Sequence, residues 1–518
     1  MKFVIDRDVS VKIDRMKRRV RWRDSLIKEK GICQTKLVVD DDNSNNPNFS
    51  FTVIGDSGCG YHLKHYPQGK IAEMMSQQES SRFTIHTGDV VYQVGSDEYY
   101  PRNFIAPYQE FLVGGENPDR LKYDSLTFKS PFFLVPGNHD YYDLPLIYGV
   151  LAQATWLPRR LLRGKIDLDV GWHGSDCGNA YARAFLDYLA DIKSQADLKQ
   201  HLDNYYTANF NGNRCLNYRS GEFTRLPNRY YTFRYGGIDF FALDSNTFNQ
   251  PLVIPNTEEG KSKREKLLRR QSELENREQE IQSKLDKLGR NNSQQAEKID
   301  DYYAELEHIN ESQRDIEKQL NKAEQATDWE QLEWLKDALV ASWEDETAKG
   351  RIIFLHHPPY VTEATKWNQG QTLAVRRRLR QVFDDVVKSL GALPEGRSIV
   401  DIVLSGHAHC LEHLYTKDTG HADSYINWIV CGGSGHSLRR QRKEGTVLYR
   451  DADLSSQPIG QSHLYVGRNG KGKNRKRPYS LLRIDVKGGD KPEFTINPFV
   501  AEWHQRQWNE YAIEPFTV

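Results

Sequence analysis

An α/β fold with its chemistry at strand ends is what this sequence predicts, and three observations carry the prediction. Short β-branched or aromatic runs recur along the chain, helical stretches lie between several of them, and polar motifs rich in Asp, Asn and His follow five of the runs directly. The first run, 49–55 (FSFTVIG), alternates and then turns fully apolar, as a buried strand does. Comparable runs stand at 83–86, 132–135, 238–243, 352–355, 399–404, 428–430 and 481–486, with helical patterns at 331–339 and 373–390.

Composition narrows the class. The 518 residues are 38% hydrophobic and 27% charged, and the 27 Tyr and 10 Trp supply material for a sizeable core, which excludes collagen-like and fully disordered chains. Lys+Arg and Asp+Glu both total 71, so net charge argues for no nucleic-acid or acidic partner. Basic runs at 12–23, 376–380, 439–443 and 468–477 read as solvated faces, and no nucleic-acid-binding motif accompanies them. No apolar run reaches membrane-spanning length and no signal-like stretch opens the chain, so a cytoplasmic protein without a membrane partner is expected. The six cysteines are scattered without a CxxC pair and read as reduced thiols.

The chain divides by pattern. Residues 1–48 form a charged N-terminal extension ending in the polar run DDDNSNNPN. The α/β domain occupies 49–257 and 327–500, and 501–518 form a tail. Residues 145–222 read as a largely helical insertion without a long strand, and their position after a strand-end motif suits a specificity lid. Residues 258–326 are Glu/Lys/Gln/Arg-rich, with Leu267, Leu274, Ile281 and Leu288 at seven-residue spacing and Ile299, Leu306 and Leu320 on a second seam. This argues for an antiparallel coiled-coil hairpin, each arm ~45 Å long. The seam admits two readings, a solvated arm whose apolar residues serve each other, or a surface for a protein partner.

The five strand-end motifs are Gly55-Asp56-Ser57-Gly58, Gly88-Asp89-Val90-Val91-Tyr92, Gly137-Asn138-His139-Asp140, His356-His357-Pro358-Pro359 and Gly406-His407-Ala408-His409. Active sites of open α/β sheets assemble at such strand ends. Singly each motif is weak, since a lone Gly-Asp is usually a turn. Together they make a converging set of oxygen and imidazole donors, suited to zinc, manganese or iron rather than calcium. Tyr92 is either a core tyrosine or a ligand. A phenol titrates near ~10, so binding it ionised at neutral pH takes a strongly Lewis-acidic ion such as Fe(III).

These motifs, GDSG, GDVVY, GNHD, LHHPPY and GHAH, resemble those of the calcineurin-like metallophosphoesterases. The three-residue step from Asp89 to Tyr92 narrows the resemblance to the purple acid phosphatases. It covers about 49–144, 223–257 and 327–435, including an LDS turn at 243–245. It implies a four-layer α/β/β/α metallophosphoesterase sandwich with two metal ions, Fe(III) held by Asp56, Asp89, Tyr92 and His409, and a divalent Fe, Zn or Mn held by Asp89, Asn138, His356 and His407. It further implies that His139 acts as the catalytic acid beside the metals.

The function so implied is an acid phosphatase-like hydrolysis of phosphomonoesters by a metal-activated hydroxide. A phosphodiesterase using the same metals, or a scaffold protein working through the coiled-coil arm, are the alternatives. The sequence pattern does not single out substrate-binding residues. No further histidine follows the His-Pro motif before position 407, His357 is expected to point away from the site, and His62, His65 and His436 are the candidates for a second proton donor. The Gly-rich segment 432–436 offers backbone N–H groups that can face a phosphate.

Overall fold

The computed structural model describes residues 4–59, 65–78, 80–144, 174–287, 296–321, 326–391, 393, 396–450, 456–470 and 474–518. Its strands are β1 (Ile32–Asp40), β2 (Phe49–Ile54), β3 (Ser81–His86), β4 (Phe132–Leu134), β5 (Ala208–Phe210), β6 (Asn213–Arg219), β7 (Tyr231–Tyr235), β8 (Ile238–Ala242), β9 (Gly350–Leu355), β10 (Ile402–Ser405), β11 (Leu411–Thr416), β12 (Asn427–Cys431), β13 (Val447–Tyr449), β14 (Pro458–Val466), β15 (Arg477–Lys487), β16 (Glu493–His504), β17 (Gln507–Ala512) and β18 (Phe516–Thr517).

These strands form two mixed sheets. The larger runs β13-β14-β11-β12-β10-β9-β8-β7-β1-β6-β5 and the smaller β17-β16-β15-β2-β3-β4, with β18 added on β16. In the smaller sheet β2, β3 and β4 are parallel, and in the larger β8, β9, β10 and β12 are parallel. Parallel neighbours end side by side, so the motifs after β2, β3 and β4 emerge together, as do those after β9 and β10.

Aromatic side chains join the two sheets. Phe133 stacks on Phe233 at 4.0 Å, while Phe83 and Phe51 each meet Phe240 edge-on at 5.5 Å. The other face of the larger sheet is covered as well. Phe240, Ile352, Phe354, Ile402 and Leu404 belong to the core between the sheets. Their neighbours Phe241, Ile353, Leu355 and Val403 pack instead with Leu335 and Leu339 of helix Trp329–Glu344 and with Val375, Leu379 and Phe383 of helix Gly370–Leu390. Successive strand residues face opposite ways, and with both faces covered they read as unbroken apolar runs. The Asp328 side chain caps the first of these helices, and Gly391, at φ 81°, ends the second. On the smaller sheet, helix Pro67–Ser76 packs against β15 and β16.

Segments expected to lie outside the sheets are woven into them. The N-terminal residues supply β1, which sits in the larger sheet between β7 and β6, parallel to both. The C-terminal residues supply β17, β18 and the end of β16. Within the expected helical insertion, 145–173 lie outside the described residues, and 213–219 form the seven-residue strand β6. Tyr181, Phe185, Leu198 and Leu202 from the same insertion enter the main core. Within 258–326 the described residues form helices Glu258–Lys287 and Ala296–Leu320, which meet through Leu274, Ile281, Ile309 and Ile316 and by the Arg277–Glu305 pair at 2.7 Å. All six cysteines are free, and among the described residues no helix is long and apolar enough to cross a membrane.

Candidate metal centre

Asp56 follows β2, Asp89 and Tyr92 follow β3, Asn138 and His139 follow β4, His356 follows β9, and His407 and His409 follow β10. The structure brings all eight together. The Tyr92 hydroxyl donates to Asp89 Oδ2 at 2.8 Å, lies 3.1 Å from Asp56 Oδ1 and is 3.3 Å from His409 Nε2. His409 Nε2 is 3.6 Å from Asp56 Oδ1. His356 Nε2 is 2.9 Å from Asn138 Oδ1 and 3.5 Å from Asp89 Oδ2. The His407 ring lies 5.0 Å from that of His356, and its backbone N–H donates to Asp56 Oδ2 at 2.8 Å. The His139 backbone N–H donates to Asp89 Oδ1 at 2.9 Å.

The turns are built for this convergence. A Cβ at Gly137 would stand 2.1 Å from Asp89 Oδ1, and one at Gly406 would stand 2.5 Å from Asp56 Oδ2. Glycine before Asn138 and before His407 is therefore what lets these turns approach the carboxylates. Asp56, Asp89 and His407 themselves hold positive φ of 53°, 55° and 63°. Such backbone is costly for residues with a Cβ and persists where the surroundings enforce it, commonly at functional sites.

A further set of polar residues braces the turns. Asp140 accepts from the backbone N–H of Gly137 at 2.8 Å and of Val90 at 3.1 Å, tying the second and third motifs together. Asn246 donates to the Pro136 carbonyl at 2.8 Å, and Tyr141 donates to Asp244 at 2.6 Å. His356 Nδ1 hydrogen-bonds the Thr87 carbonyl and His409 Nδ1 the Ser437 carbonyl, both at 2.9 Å. Each of these rings thereby turns Nε2 toward the cluster, as metal-binding histidines do.

Electrostatics favour a cation. Asp56, Asp89 and His356 each offer a ligand atom within 4.8 Å of the others, and all three are buried. Burial, with the neighbouring Asp89 carboxylate, holds the Asp56 carboxyl well above the usual range despite His356. Burial also opposes ionisation of Asp89, but His356 and His139 outweigh it and keep that group well below the usual range. Burial pulls His356 down, yet Asp89 and Asp56 more than offset it and hold the ring at about 9. Burial and the two carboxylates drive the Tyr92 phenol well above its ordinary value. Protons thus stand where positive charge is needed. A bound cation reverses that logic by favouring the ionised forms. His407 Nε2 is buried and has no hydrogen-bond partner among the described residues. An orphaned imidazole nitrogen is costly, and a metal ion is a natural occupant. The residues present therefore fit metal ions.

Some expectations need correction. The His357 ring does not point away. It lies 4.4 Å from the ring of His407, and its nitrogens bond Ser245 at 2.8 Å and Asn249 at 3.0 Å. The LDS turn thus holds the His356-His357 pair in place, a role sequence reasoning missed. In the Gly-rich segment the N–H groups of Ser434 and His436 are committed to the carbonyls of Gly55 and Asp56, at 3.3 and 3.0 Å. Of the further histidines, His62 lies outside the described residues and His65 packs against Trp503 and Tyr479. His436 does reach the site, with its ring stacked on Tyr92 at 3.9 Å. Sequence reasoning also missed Lys366, Glu307 and Glu311, which border the cluster, and read Arg439 as part of a solvated basic run although its side chain is buried. The four-residue step from Glu307 to Glu311 was visible but reads as a solvated helix face.

The arrangement is two facing mixed sheets with helices, and a His/Asp/Asn cluster at the parallel strand ends. No protein-family model matches the chain, and no curated protein matches it. Among solved structures, the chain is similar to the purple acid phosphatase PPD1 isolated from yellow lupin (Lupinus luteus) seeds, at 12% identity and a TM-score of 0.40. That match covers 92% of this chain and 54% of the lupin chain, so this chain spans about half of the lupin protein's length. It is also similar to GAP50, the anchor in the inner membrane complex of Plasmodium, at 12% identity and a TM-score of 0.35, covering 90% of this chain and 88% of that one.

Proposed function

We propose that the chain is a dinuclear metallophosphatase that hydrolyses phosphomonoesters. One observation carries the reading: the short distances sort into two groups that share Asp89. Tyr92 touches Asp56, Asp89 and His409, while His356 touches Asn138 and lies near Asp89 and His407. One ion would be held by Asp56, Asp89, Tyr92 and His409, and the other by Asp89, Asn138, His356 and His407. Fe(III) suits the first position, because the phenol is pushed up and only a strong Lewis acid ionises it. Fe, Zn or Mn suits the second.

When bound, such ions supply Lewis acidity to phosphoryl oxygens and acidify water. The remaining work falls to the protein. Asp140, Thr87 and Ser437 fix the orientation of the donors. His139 commits Nδ1 to the Gln93 carbonyl at 2.5 Å, which leaves Nε2 as the ring nitrogen for carrying a proton to the leaving oxygen. Burial of the cluster excludes bulk water and strengthens each charge–charge interaction.

The reading includes a four-layer α/β/β/α catalytic domain over 49–257 and 327–500, with a coiled-coil hairpin inserted at 258–326. The test is hydrolysis of an aryl phosphomonoester and an aryl phosphodiester side by side, after iron, zinc or manganese loading. Preferential, metal-dependent monoester turnover supports the proposal. Preference for the diester replaces it with a phosphodiesterase, and no turnover under any loading removes the catalytic reading.

A further inference from the structure

The second arm helix, Ala296–Leu320, has two functionally different faces. Ile309 and Ile316 join the first arm helix in an apolar cluster. Another face carries Glu307, Glu311 and Asp315, whose four-residue spacing aligns them along one side. All three carboxylates meet hydrogen-bond donors or charged partners on the main body. Glu307 lies 3.1 Å from Arg439 Nη2 and 3.5 Å from His436 Nε2. Glu311 accepts from Lys366 Nζ at 2.8 Å. Asp315 accepts from the backbone N–H groups of Gly370 and Gln371, at 2.9 and 3.2 Å, where helix Gly370–Leu390 begins. Arg314 lies over the Tyr142 ring at 5.3 Å, and that ring is 5.0 Å from His139. The helix therefore spans the cluster from His436 to the neighbourhood of His139.

The partners under this helix, His436, Arg439 and Lys366, border the metal ligands. His436 stacks on Tyr92, and its ring is 5.0 Å from that of His409. The Arg439 backbone N–H donates to the His409 carbonyl at 2.9 Å. Lys366 lies between His357 and helix Gly370–Leu390 in the chain, and its charge acts on both His407 and His357. The Lys366 and Arg439 side chains are only 1% and 7% exposed. Such deeply buried cations need paired anions. Beside ligands for two metal ions they would repel those ions unless an anion stood between. In this structure Glu307 and Glu311 are the anions. The docking is polar, and an ion pair can be exchanged for another anion in a way that apolar packing cannot.

We propose that Lys366, Arg439 and His436 form the anion-binding wall of the site, and that Glu311 and Glu307 occupy it in a closed form. The arm helix is then a charge-held cover that a multiply charged phosphate ester displaces. This rests on the hydrolase reading above for the identity of the anion, and on the ion pairs alone for the cover.

The test uses the full-length protein with inorganic phosphate as the probe, followed by calorimetric binding and by hydrogen exchange over 296–320. Phosphate should raise exchange in the arm helix of the unsubstituted protein, because it competes with Glu307 and Glu311 for the same partners. The double variant Glu307→Gln, Glu311→Gln should exchange fast without phosphate. It should also bind phosphate ~10-fold tighter, because the competent state no longer has to be selected from a closed one. Lys366→Ala should open the arm yet bind phosphate more weakly. Unchanged arm exchange on adding phosphate to the unsubstituted protein overturns the proposal, as does a double variant that binds phosphate no tighter. If the arm opens to phosphate but no ester is turned over with any metal, the hydrolase reading fails and the cover stands. If metal-dependent turnover occurs while the arm stays protected throughout, the cover fails and the hydrolase reading stands.

Discussion

The Tyr92 hydroxyl donates to the Asp89 carboxylate at 2.8 Å while also lying within 3.3 Å of His409. A phenol so placed shares its site with two carboxylates and an imidazole, and it has no ordinary reason to ionise without a cation. Iron-loaded protein should therefore show a visible charge-transfer band, and Tyr92→Phe should lose it. The substitution keeps the ring, so folding should survive with a loss of about 1 kcal/mol for the missing hydrogen bond. Absorption spectra and thermal melts check both parts. An unchanged visible spectrum in Tyr92→Phe removes Tyr92 from the ligand set.

Asp140 bridges the turns that carry Asp89 and Asn138. Asn at this position keeps one acceptor oxygen and puts an N–H₂ group against a backbone N–H. Asp140→Asn should therefore weaken metal binding ~10–100-fold, the usual range for a residue that orients ligands, while the protein stays folded. Competition against a chelator measures this. Metal affinity equal to that of the unsubstituted protein would assign Asp140 to packing alone.

His139 hydrogen-bonds Asp89 through its backbone N–H, so its side chain can be removed without removing a ligand. His139→Ala should keep its metal content and lose ~10²–10⁴-fold in kcat on alkyl phosphates, the range for a missing proton donor. The loss should shrink on aryl phosphates whose leaving group needs no proton. An equal loss on both substrates would mean that His139 positions the phosphate instead.

Glu412 gives the fold a pH dependence of its own. It is fully buried and accepts from the Thr362 backbone at 2.9 Å and hydroxyl at 2.6 Å. Burial pushes its carboxyl up to about 7 despite those bonds. Between the ordinary carboxyl range and pH 7 the folded chain holds a proton that the unfolded chain has released. Its contribution is therefore complete at acid pH and is lost as pH rises through 7, on the order of 3 kcal/mol in all. Glu412→Gln is neutral throughout and should show a smaller fall in thermal midpoint between pH 5 and 8. Parallel pH curves for the two proteins would exclude this group as the source.

What could be read from the sequence follows from how each residue is buried. Phe240 and Phe241, or Ile352 and Ile353, face opposite covered sides of one sheet, so their strands stand out as apolar runs. Asp56, Asp89, Asn138, His356 and His407 were legible because each follows such a run at a glycine-marked or short turn. β16 was not, because its residues alternate between buried and half-exposed along a solvent-facing strand. β1 was hidden in a charged N-terminal stretch, and only its pairing with β6 and β7 gives it a place. The wall residues were hardest to see. Lys366 and Glu311 are 55 positions apart and carry no local pattern, and they gain meaning only when the arm helix lies across the site.

The most direct test of the dinuclear site is metal content measured together with ester hydrolysis, in the unsubstituted protein and in Asp89→Asn. Two metal ions per chain with metal-dependent turnover, both lost in Asp89→Asn, is the predicted result. A variant that retains both ions and near-normal turnover would contradict a centre built around Asp89.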